Sequence, residues 1–299
     1  MSVIALKVDI HTRVGLTDGA VALAGLFREQ GAGATFYLSL GPDRAGKVPL
    51  AEWFAHGGVK PRAHLPFLTR QNGRLWPGPD MGRALRKCLH ALQGDGFELG
   101  LKAWDQAAWR RQSTDADAEW TRKALERAIA GFTRLTGAAP QTLAAPGWHG
   151  NWSAVRQSQG LGIHFASDAR GREPFIPVQR AEIVAVPQLP TTLPTLDEVL
   201  AESHGDQTQA IERILNLTST PRRHGHVFSL NAEADGRKLL QMVGLLLAGW
   251  KRQGWQCVSL GDLAATLDLS RLPHSELVWE TWPGRRGKLA RQGDNVFIA

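Results

Sequence analysis

The amino-acid sequence predicts an α/β fold in which parallel strands are covered by helices. Short apolar runs alternate with amphipathic segments of helical length along almost all of the 299 residues. No internal repeat or low-complexity tract interrupts this order. Such βα units cover a parallel sheet with helices, and the chain length fits one large domain or two small ones. About eight units form either a barrel or an open, doubly wound sheet, and periodicity alone leaves both possible.

The individual elements follow from apolar spacing. Short runs of β-prone and apolar residues predict strands at 3–8, 34–39, 97–101, 142–145, 163–166, 183–186, 226–230 and 257–260. Apolar residues at helical spacing predict helices at 18–30, 81–92, 115–135, 197–201, 207–217, 237–253 and 261–267. We expect the longest helix to be capped by Gly137, because glycine adopts the left-handed conformation at a helix end.

Two segments depart from the alternation. Residues 41–80 are too long for a simple βα loop and mix aromatic with basic side chains. We predict an inserted segment that either dips into a bilayer, with its cations on phosphates, or packs over the domain as a lid. Residues 271–299 contain Trp279, Trp282 and a basic run at 285–288. We predict a domain of residues 1–270 followed by a basic tail, which adds a membrane contact or wraps the domain.

The N-terminus and the cysteines bear on the compartment. The chain enters a strand-like run at once, without the basic and apolar regions of a signal peptide. It contains no apolar stretch of about 18 residues, the length that a spanning helix needs. Cys88 and Cys257 lie far apart in the sequence. We predict that they are free, buried thiols in a reducing compartment, and a disulfide is the alternative. We therefore expect a cytoplasmic protein.

Charge and tryptophan content bear on the partners. The formal net charge is +7, and the chain has 11 tryptophans but only 1 tyrosine. Basic charge with many indoles is typical of proteins at an anionic membrane surface. A basic protein that keeps its tryptophans in the core is the alternative. Nucleic acid is not an expected partner, because no helix-turn-helix, zinc finger or aromatic RNA-binding signature accompanies the charge.

Polar residues gather where the predicted strands end. The carboxyl ends of parallel strands meet at one face of a barrel, and functional groups collect there. We therefore take as candidate site residues Asp9, His11, Lys102, Asp105, Gln106, His149, Asp168, Arg170, Asn231 and Glu233.

Several segments resemble one enzyme family. The run GLKAWDQAAW at 100–109 resembles the second motif of the NodB-type polysaccharide deacetylases, and closely that of the ArnD-type formamido-arabinose phosphoundecaprenol deformylases. AAPGWH at 144–149, SDARG at 167–171 and LPTTLPT at 189–195 extend the resemblance over roughly residues 3–265. The resemblance implies a distorted, incomplete (β/α) barrel that hydrolyses an amide of an amino sugar with a divalent metal.

The same resemblance implies that the catalytic positions are substituted. Asp9 matches the family's general base, and His11 matches its acidic metal ligand. Lys102 and Gln106 stand where the resemblance implies two histidine ligands, but an ammonium has no lone pair and an amide is a poor ligand. His149 stands at the position of the orienting arginine, and Asn231 at that of the acidic histidine. We expect no cofactor or metal.

Loss of the metal ligands and of the general acid would leave little hydrolysis of an amide. A metal lowers the pKa of bound water from about 15.7 to about 7, and a general acid contributes roughly a hundred- to ten-thousand-fold. We hypothesise that Lys102 pairs with Asp9, which would otherwise be a costly buried carboxylate. One alternative is that the Lys102 side chain extends to solvent. Another is a metal site rebuilt from Asp9, His11 and His149. Arg170 is expected to contact a phosphate or sugar, or to brace Asp168 or Glu233.

The functional prediction is a non-catalytic relative, or pseudoenzyme, of the ArnD-type deformylases. It would bind a lipid-linked amino sugar, a related glycolipid or a partner protein, such as an active paralogue, during lipopolysaccharide and other cell-envelope glycolipid modification. We expect it on the cytoplasmic face of the inner membrane. The alternative is an active deacetylase or deformylase that hydrolyses the amide C–N bond of a lipid-linked amino sugar through a rebuilt site.

Overall fold

A computed structural model describes residues 2–47, 64–94 and 96–296 of the chain. Its strands are β1 (Val3–Ile10), β2 (Thr35–Ser39), β3 (Glu98–Ala103), β4 (Thr142–Leu143), β5 (Phe165–Ala166), β6 (Ile176–Gln179), β7 (Glu182–Ile183), β8 (His226–Asn231), β9 (Gln256–Val258), β10 (His274–Thr281) and β11 (Lys288–Asn295). Its α-helices are α1 (Val21–Gln30), α2 (Met81–Gly94), α3 (Gln106–Gln112), α4 (Ala118–Thr136), α5 (Trp152–Ser158), α6 (Leu196–Glu202), α7 (Gln207–Leu217), α8 (Leu240–Arg252) and α9 (Leu260–Ala265).

The main sheet has seven strands, and its order β5-β4-β3-β2-β1-β8 is parallel throughout. The short strand β9 pairs with residues 3–5 of β1, whereas β2 pairs with residues 7–10. Strand β8 occupies the other edge of β1. Helices cover the outer face of this curved sheet. The predicted distorted (β/α) barrel is therefore confirmed.

The proline-rich segment 187–194 closes the barrel where the sheet does not. It runs between the outer strands β5 and β8: the Leu189 amide donates to the Ala166 carbonyl (2.7 Å), and the Thr192 amide donates to the Val227 carbonyl (3.1 Å). Prolines lack the amide hydrogen that a regular strand needs. The segment therefore bridges the two edges without forming a ladder, which makes the barrel irregular.

Strand β1 divides its side chains between the two faces of the sheet. Ile4, Leu6 and Val8 belong to the large core under the helices. Ala5 belongs to a smaller core with Tyr37 on β2, Phe165 on β5 and Val227 on β8, inside the barrel. Successive side chains of a strand point to opposite faces, so the odd-numbered residues of β1 face the interior. This register places charged residues of β1 inside the barrel.

A second sheet, in the order β11-β10-β6-β7, adjoins the barrel. Strand β10 pairs parallel with β6 and antiparallel with β11. The sequence analysis predicts neither β10 nor β11, because their charged and polar residues obscure the alternation. The barrel strand predicted at 183–186 is wrong: β7 covers Glu182–Ile183 and pairs antiparallel with β6. The apolar run beyond it leads into the prolines that close the barrel.

Helix boundaries follow from capping residues. Helix α4 starts at Ala118 because the Asp117 carboxylate accepts the Trp120 amide (2.7 Å), and it ends at Gly137 with φ 84°, as predicted. The sequence analysis misses α3 and α5, which begin after the N-caps Asp105 and Asn151.

Cys88 and Cys257 are free thiols. Of the helices in the described part of the chain, none combines the length and apolar character that crossing a bilayer requires. Residues 48–63 of the predicted insertion and 297–299 of the predicted tail lie outside the described residues.

Candidate functional site

The candidate site lies at the carboxyl ends of the barrel strands. Asp9 on β1 is in register with Asn231 on β8. Lys102 comes near the end of β3, and Asp168 follows β5. The parallel sheet therefore brings together polar residues from four distant parts of the sequence.

An ion pair between Lys102 and Asp9 forms the centre of the site. The ammonium contacts the Oδ2 oxygen of Asp9, and both residues are buried. Burial alone would raise the pKa of Asp9, but the nearby charges of Lys102 and Lys7 lower it below its ordinary value. Burial lowers the pKa of Lys102 to about 8, although Asp9 opposes the shift. The pairing predicted for Lys102 is confirmed, and the alternative of a solvent-exposed side chain is wrong.

Lys7 is a second buried cation, which the sequence analysis misses. Its ammonium donates to the Ser167 carbonyl (2.6 Å) and lies 5.5 Å from the ring centroid of Tyr37 and 5.8 Å from that of Trp148. Burial lowers the pKa of Lys7, while Asp9 and Asp168 oppose this shift. The available signal was a lysine within an otherwise apolar strand, since a buried charge requires partners.

His11 and Gln106 lie beside the ion pair. Their side chains form a hydrogen bond, and burial together with the charge of Lys102 lowers the pKa of His11 to about 3. The imidazole is therefore neutral near neutral pH. The Nδ1 atom of His11 is buried without a hydrogen-bond partner among the described residues.

The residues at this point do not fit a divalent metal. Asp9 is in contact with an ammonium, which repels a second cation, and Gln106 offers only a weakly coordinating amide. Within residues 2–47, 64–94 and 96–296, no three His, Cys, Asp or Glu residues lie close enough together to hold a metal. The set of Asp9, His11 and His149 therefore does not assemble. His149 is buried instead under the C-terminal strands, where burial and Arg110 lower its pKa to about 4.

Glu233 is a buried carboxylic acid at the end of β8. Its Oε1 oxygen accepts hydrogen bonds from the amides of His11 (2.8 Å) and Thr12 (2.7 Å) and from the Thr12 hydroxyl (3.0 Å). Its Oε2 oxygen has no partner in the described part of the chain. Burial raises the pKa of Glu233 to about 7, despite these hydrogen bonds. Glu233 therefore titrates in the physiological range.

Asn231 has a structural role in the turn that carries Glu233. Its side-chain oxygen accepts the Glu233 amide (3.0 Å), and its own amide donates to Asp235 (2.6 Å). Burial raises the pKa of Asp235 to about 8. Asp235 is a further buried acid that the sequence analysis misses.

Arg170 pairs with Glu198, so the alternative that it braces Asp168 or Glu233 is wrong, while contact with a phosphate or sugar stays a prediction. Its guanidinium donates to both carboxylate oxygens of Glu198, at 3.1 and 3.0 Å. Asp168 instead pairs with Gln188, whose amide group donates to it at 3.2 Å, and burial raises the pKa of Asp168. The expected partner was wrong because Glu198 lies on α6, outside the strand ends on which the prediction was based.

The C-terminal strands extend the Arg170–Glu198 pair into a network. Arg285, in the turn between β10 and β11, donates to Glu198 (3.0 Å) and Asp197 (2.9 Å). The Trp148 ring lies 4.8 Å from the guanidinium carbon of Arg170 and 5.3 Å from that of Arg285. Trp148 adopts a left-handed backbone conformation (φ 60°), which a bulky residue adopts only under constraint. The network therefore fixes the β10–β11 turn to the mouth of the barrel.

Little free space remains beside the central ion pair. A cavity lined by Lys102, Asp168, Trp109, Trp279 and Ala290 has a volume of about 20 Å³, enough for about one water molecule. Trp279 is on β10 and Ala290 is on β11. The second sheet therefore covers the site from the carboxyl side.

Asp105 lies at the rim of this site. Its Oδ1 oxygen caps α3 through the Ala108 amide (3.0 Å), and its Oδ2 oxygen pairs with Arg44. Asp105 therefore links the loop after β3 to the loop after β2.

The chain is similar in sequence to two deformylases, although no family model matches it. It is 26% identical over 300 residues to a protein of Shewanella sediminis that is assigned by inference as the 4-deoxy-4-formamido-L-arabinose-phosphoundecaprenol deformylase ArnD. That match covers 98% of this chain and 95% of the relative. A protein of Wigglesworthia glossinidia brevipalpis with the same assignment is 24% identical over 269 residues, covering 87% of this chain and 91% of the relative.

Solved structures of polysaccharide deacetylases share the fold. One from Mycobacterium smegmatis, also assigned by inference, superposes with a TM-score of 0.60 at 15% identity, covering 91% of this chain and 92% of the other. One from Pseudomonas aeruginosa PAO1 gives a TM-score of 0.57 at 15% identity and covers 88% and 90% of the two chains. The barrel fold matches that of the solved deacetylases, and the similarity in sequence extends over nearly the whole chain. The chain is thus similar over its full length to the ArnD-type deformylases, and it shares the fold of the polysaccharide deacetylases.

Proposed function

We propose that this protein is a non-catalytic relative of the ArnD-type deformylases, which binds a lipid-linked amino sugar or related glycolipid in cell-envelope modification. The observation that carries the proposal is the buried ion pair between Lys102 and Asp9. The relatives are named for a formamido-arabinose linked to phosphoundecaprenol. The protein would retain the barrel fold of these relatives but would not hydrolyse the amide.

The chemistry of the central residues supports this proposal. Hydrolysis of an amide requires an activated water and a proton donor for the leaving amine. Asp9, at the position of the base, is held as a carboxylate by the Lys102 ammonium, and its lowered pKa makes it a weak base. Asn231 cannot donate a proton as an acid near neutral pH. Lys102 thus supplies the positive charge that a metal would otherwise supply, but activates no water.

The β10–β11 turn at the mouth of the barrel supports binding of a phosphate. Trp282 in this turn is half-buried and lies 4.5 Å from the guanidinium carbon of Arg170. Arg286 in the β10–β11 turn and Lys288 at the start of β11 are exposed. Guanidinium and ammonium groups bind phosphate oxygens through charge-assisted hydrogen bonds. We place the protein peripherally on the cytoplasmic face of the inner membrane, with an active paralogue as a further candidate partner.

Metal analysis and a turnover assay test the proposal together. The purified protein would be incubated with Zn²⁺, Co²⁺ or Ni²⁺, desalted and measured for metal, and then mixed with an undecaprenyl-phosphate-linked formamido sugar. We expect binding of the lipid-linked sugar, no stoichiometric metal and no release of formate. Formate release that disappears in the Asp9→Asn variant would overturn the proposal.

Glu233 favours a second candidate, an active hydrolase with a rebuilt site. A buried carboxyl with a pKa of about 7 is suited to general acid–base catalysis near neutral pH. In that case the formamido or acetamido sugar would be turned over, and Glu233→Gln would abolish turnover without weakening substrate binding. Measuring released formate from the formamido sugar and released acetate from the acetamido sugar therefore separates the two candidates.

A further inference from the structure

The segment 67–76 carries an unusual concentration of exposed apolar side chains. Phe67 is 70% exposed, Leu68 66%, Leu75 68% and Trp76 38%. Among the described residues, the other exposed large hydrophobic side chains are scattered at Val21, Ile183, Leu217, Leu245 and Leu269. Single exposed hydrophobic residues are ordinary, whereas a cluster of them marks a site of interaction.

Hydrogen bonds hold the backbone of this segment in place. The Arg70 guanidinium donates to the Leu65 carbonyl (2.8 Å), and the Trp76 indole donates to the side chain of Asn72 (3.0 Å). The Gly46 amide donates to the Asn72 carbonyl (2.8 Å), which ties the segment to the loop after β2. The apolar side chains are therefore exposed on an ordered turn.

Cations adjoin the apolar side chains. Arg44, Lys47 and Arg74 line a groove of about 410 Å³ together with Leu75 and Trp76. No acidic residue lines this groove within the described part of the chain. Lys47 and Arg74 are exposed, whereas Arg44 pairs with Asp105. The combination of apolar side chains with neighbouring cations complements an anionic lipid surface, in which acyl chains lie under phosphates.

We propose that these side chains form a docking surface for an anionic lipid bilayer, which we call the rim patch: Lys47, Phe67, Leu68, Arg74, Leu75 and Trp76. The apolar residues enter the boundary between headgroups and acyl chains, and the two cations contact lipid phosphates. The link from Arg44 to Asp105, which follows β3, places the rim patch beside the mouth of the barrel. The proposal deepens the membrane location under the proposed function, but it needs no glycolipid in the barrel.

Vesicle sedimentation tests the rim patch with the full-length protein. The probes are vesicles of phosphatidylcholine alone and of phosphatidylcholine mixed with phosphatidylglycerol, both without glycolipid. We expect binding to the mixed vesicles that weakens as the salt concentration rises. Lys47→Glu with Arg74→Glu should lower the partition coefficient by roughly 25-fold or more, since each cation near the surface contributes roughly fivefold. Phe67→Ser with Leu68→Ser should lower it by roughly tenfold or more, because their apolar area leaves water on docking.

Matched control variants lie elsewhere on the surface. Leu245 and Leu269, which are 50% and 48% exposed, give the apolar control Leu245→Ser with Leu269→Ser, and the exposed Lys251 and Arg252 give the charge control Lys251→Glu with Arg252→Glu. Both controls should bind vesicles as the wild type does, and all variants should keep the wild-type circular dichroism. Equal binding to neutral and anionic vesicles, no binding to either, or equal losses in the controls would overturn the proposal. Binding of the lipid-linked sugar in detergent, measured separately, reports on the proposed function alone.

Discussion

Replacement of Lys102 by methionine removes the charge that pairs with Asp9 while keeping a side chain of similar length. Both side chains are almost entirely buried, so solvent does not screen the pair. Removing one partner of a buried ion pair typically costs about 3–5 kcal/mol of stability, because the other charge remains buried. Lys7 still lies near Asp9 and compensates in part. We therefore expect Lys102→Met to lower the free energy of unfolding by about 3 kcal/mol.

A double-mutant cycle measures the coupling directly. Urea unfolding followed by circular dichroism would be compared for the wild type, Lys102→Met, Asp9→Asn and the double variant. Because the double variant buries neither charge, it should recover about 2 kcal/mol of the loss caused by Lys102→Met. Lys123→Met is the matched control, since Lys123 pairs with Glu119 on the exposed face of α4 and should contribute little. Additive effects of the two single substitutions would refute the assignment of Lys102 as the cation that neutralises Asp9.

Three further predictions concern the acids, the C-terminal turn and the lost metal site. Because burial raises the pKa of Glu233 from 4.5 to about 7, the native protein binds more protons than the unfolded chain between these values, and stability falls as the pH rises through this window. Glu233→Gln should remove up to about 3 kcal/mol of that fall, so the urea midpoints measured at about pH 4.5 and about pH 7 should differ less than in the wild type. An unchanged dependence of stability on pH would contradict the raised pKa of Glu233. Arg285→Met should lower stability by about 2 kcal/mol and increase acrylamide quenching of tryptophan, because it releases the β10–β11 turn from α6. Arg291→Met, at an exposed pair with Glu280 in the same hairpin, is the control and should change little; equal effects of the two would argue against the network. Lys102→His with Gln106→His should create a cobalt site visible by d–d absorption, since both positions contact Asp9 or His11; no absorption in the folded variant would show that these positions do not converge on a metal site.

The interior of the barrel shows how far the sequence could predict the site. Parallel strands end at the same edge, which predicted that Asp9 and Lys102 lie near each other, and the resemblance to the deformylases, which implies a metal ligand at position 102, predicted that they pair. Lys7 could have been found by the same reasoning, because a period of two places it on the same face of β1 as Asp9. It was not predicted because Lys7 lies within β1, away from the strand end at which the candidate residues gather.

The partners of Arg170 could not be predicted from the sequence. Glu198 lies on α6 and Arg285 lies in the turn between β10 and β11, and no local pattern relates either one to residue 170. From the sequence, Glu198 is explained by its place in a capping box with Thr195 at the start of α6. The tertiary fold alone gives its carboxylate a second role, as the acceptor of two guanidinium groups.

The sequence by itself determined the parallel (β/α) architecture and the candidate residues at the strand ends. These depend on local periodicity and on the fixed geometry of parallel strands. Only the tertiary structure decided how the proline-rich segment closes the barrel, and that the second sheet covers the site and reduces its free volume to about 20 Å³. Only the tertiary structure also showed that the apolar residues of the rim patch face solvent. The physical reason is that burial and ion pairing depend on which distant segments pack together, and apolar spacing along the chain carries no record of that choice.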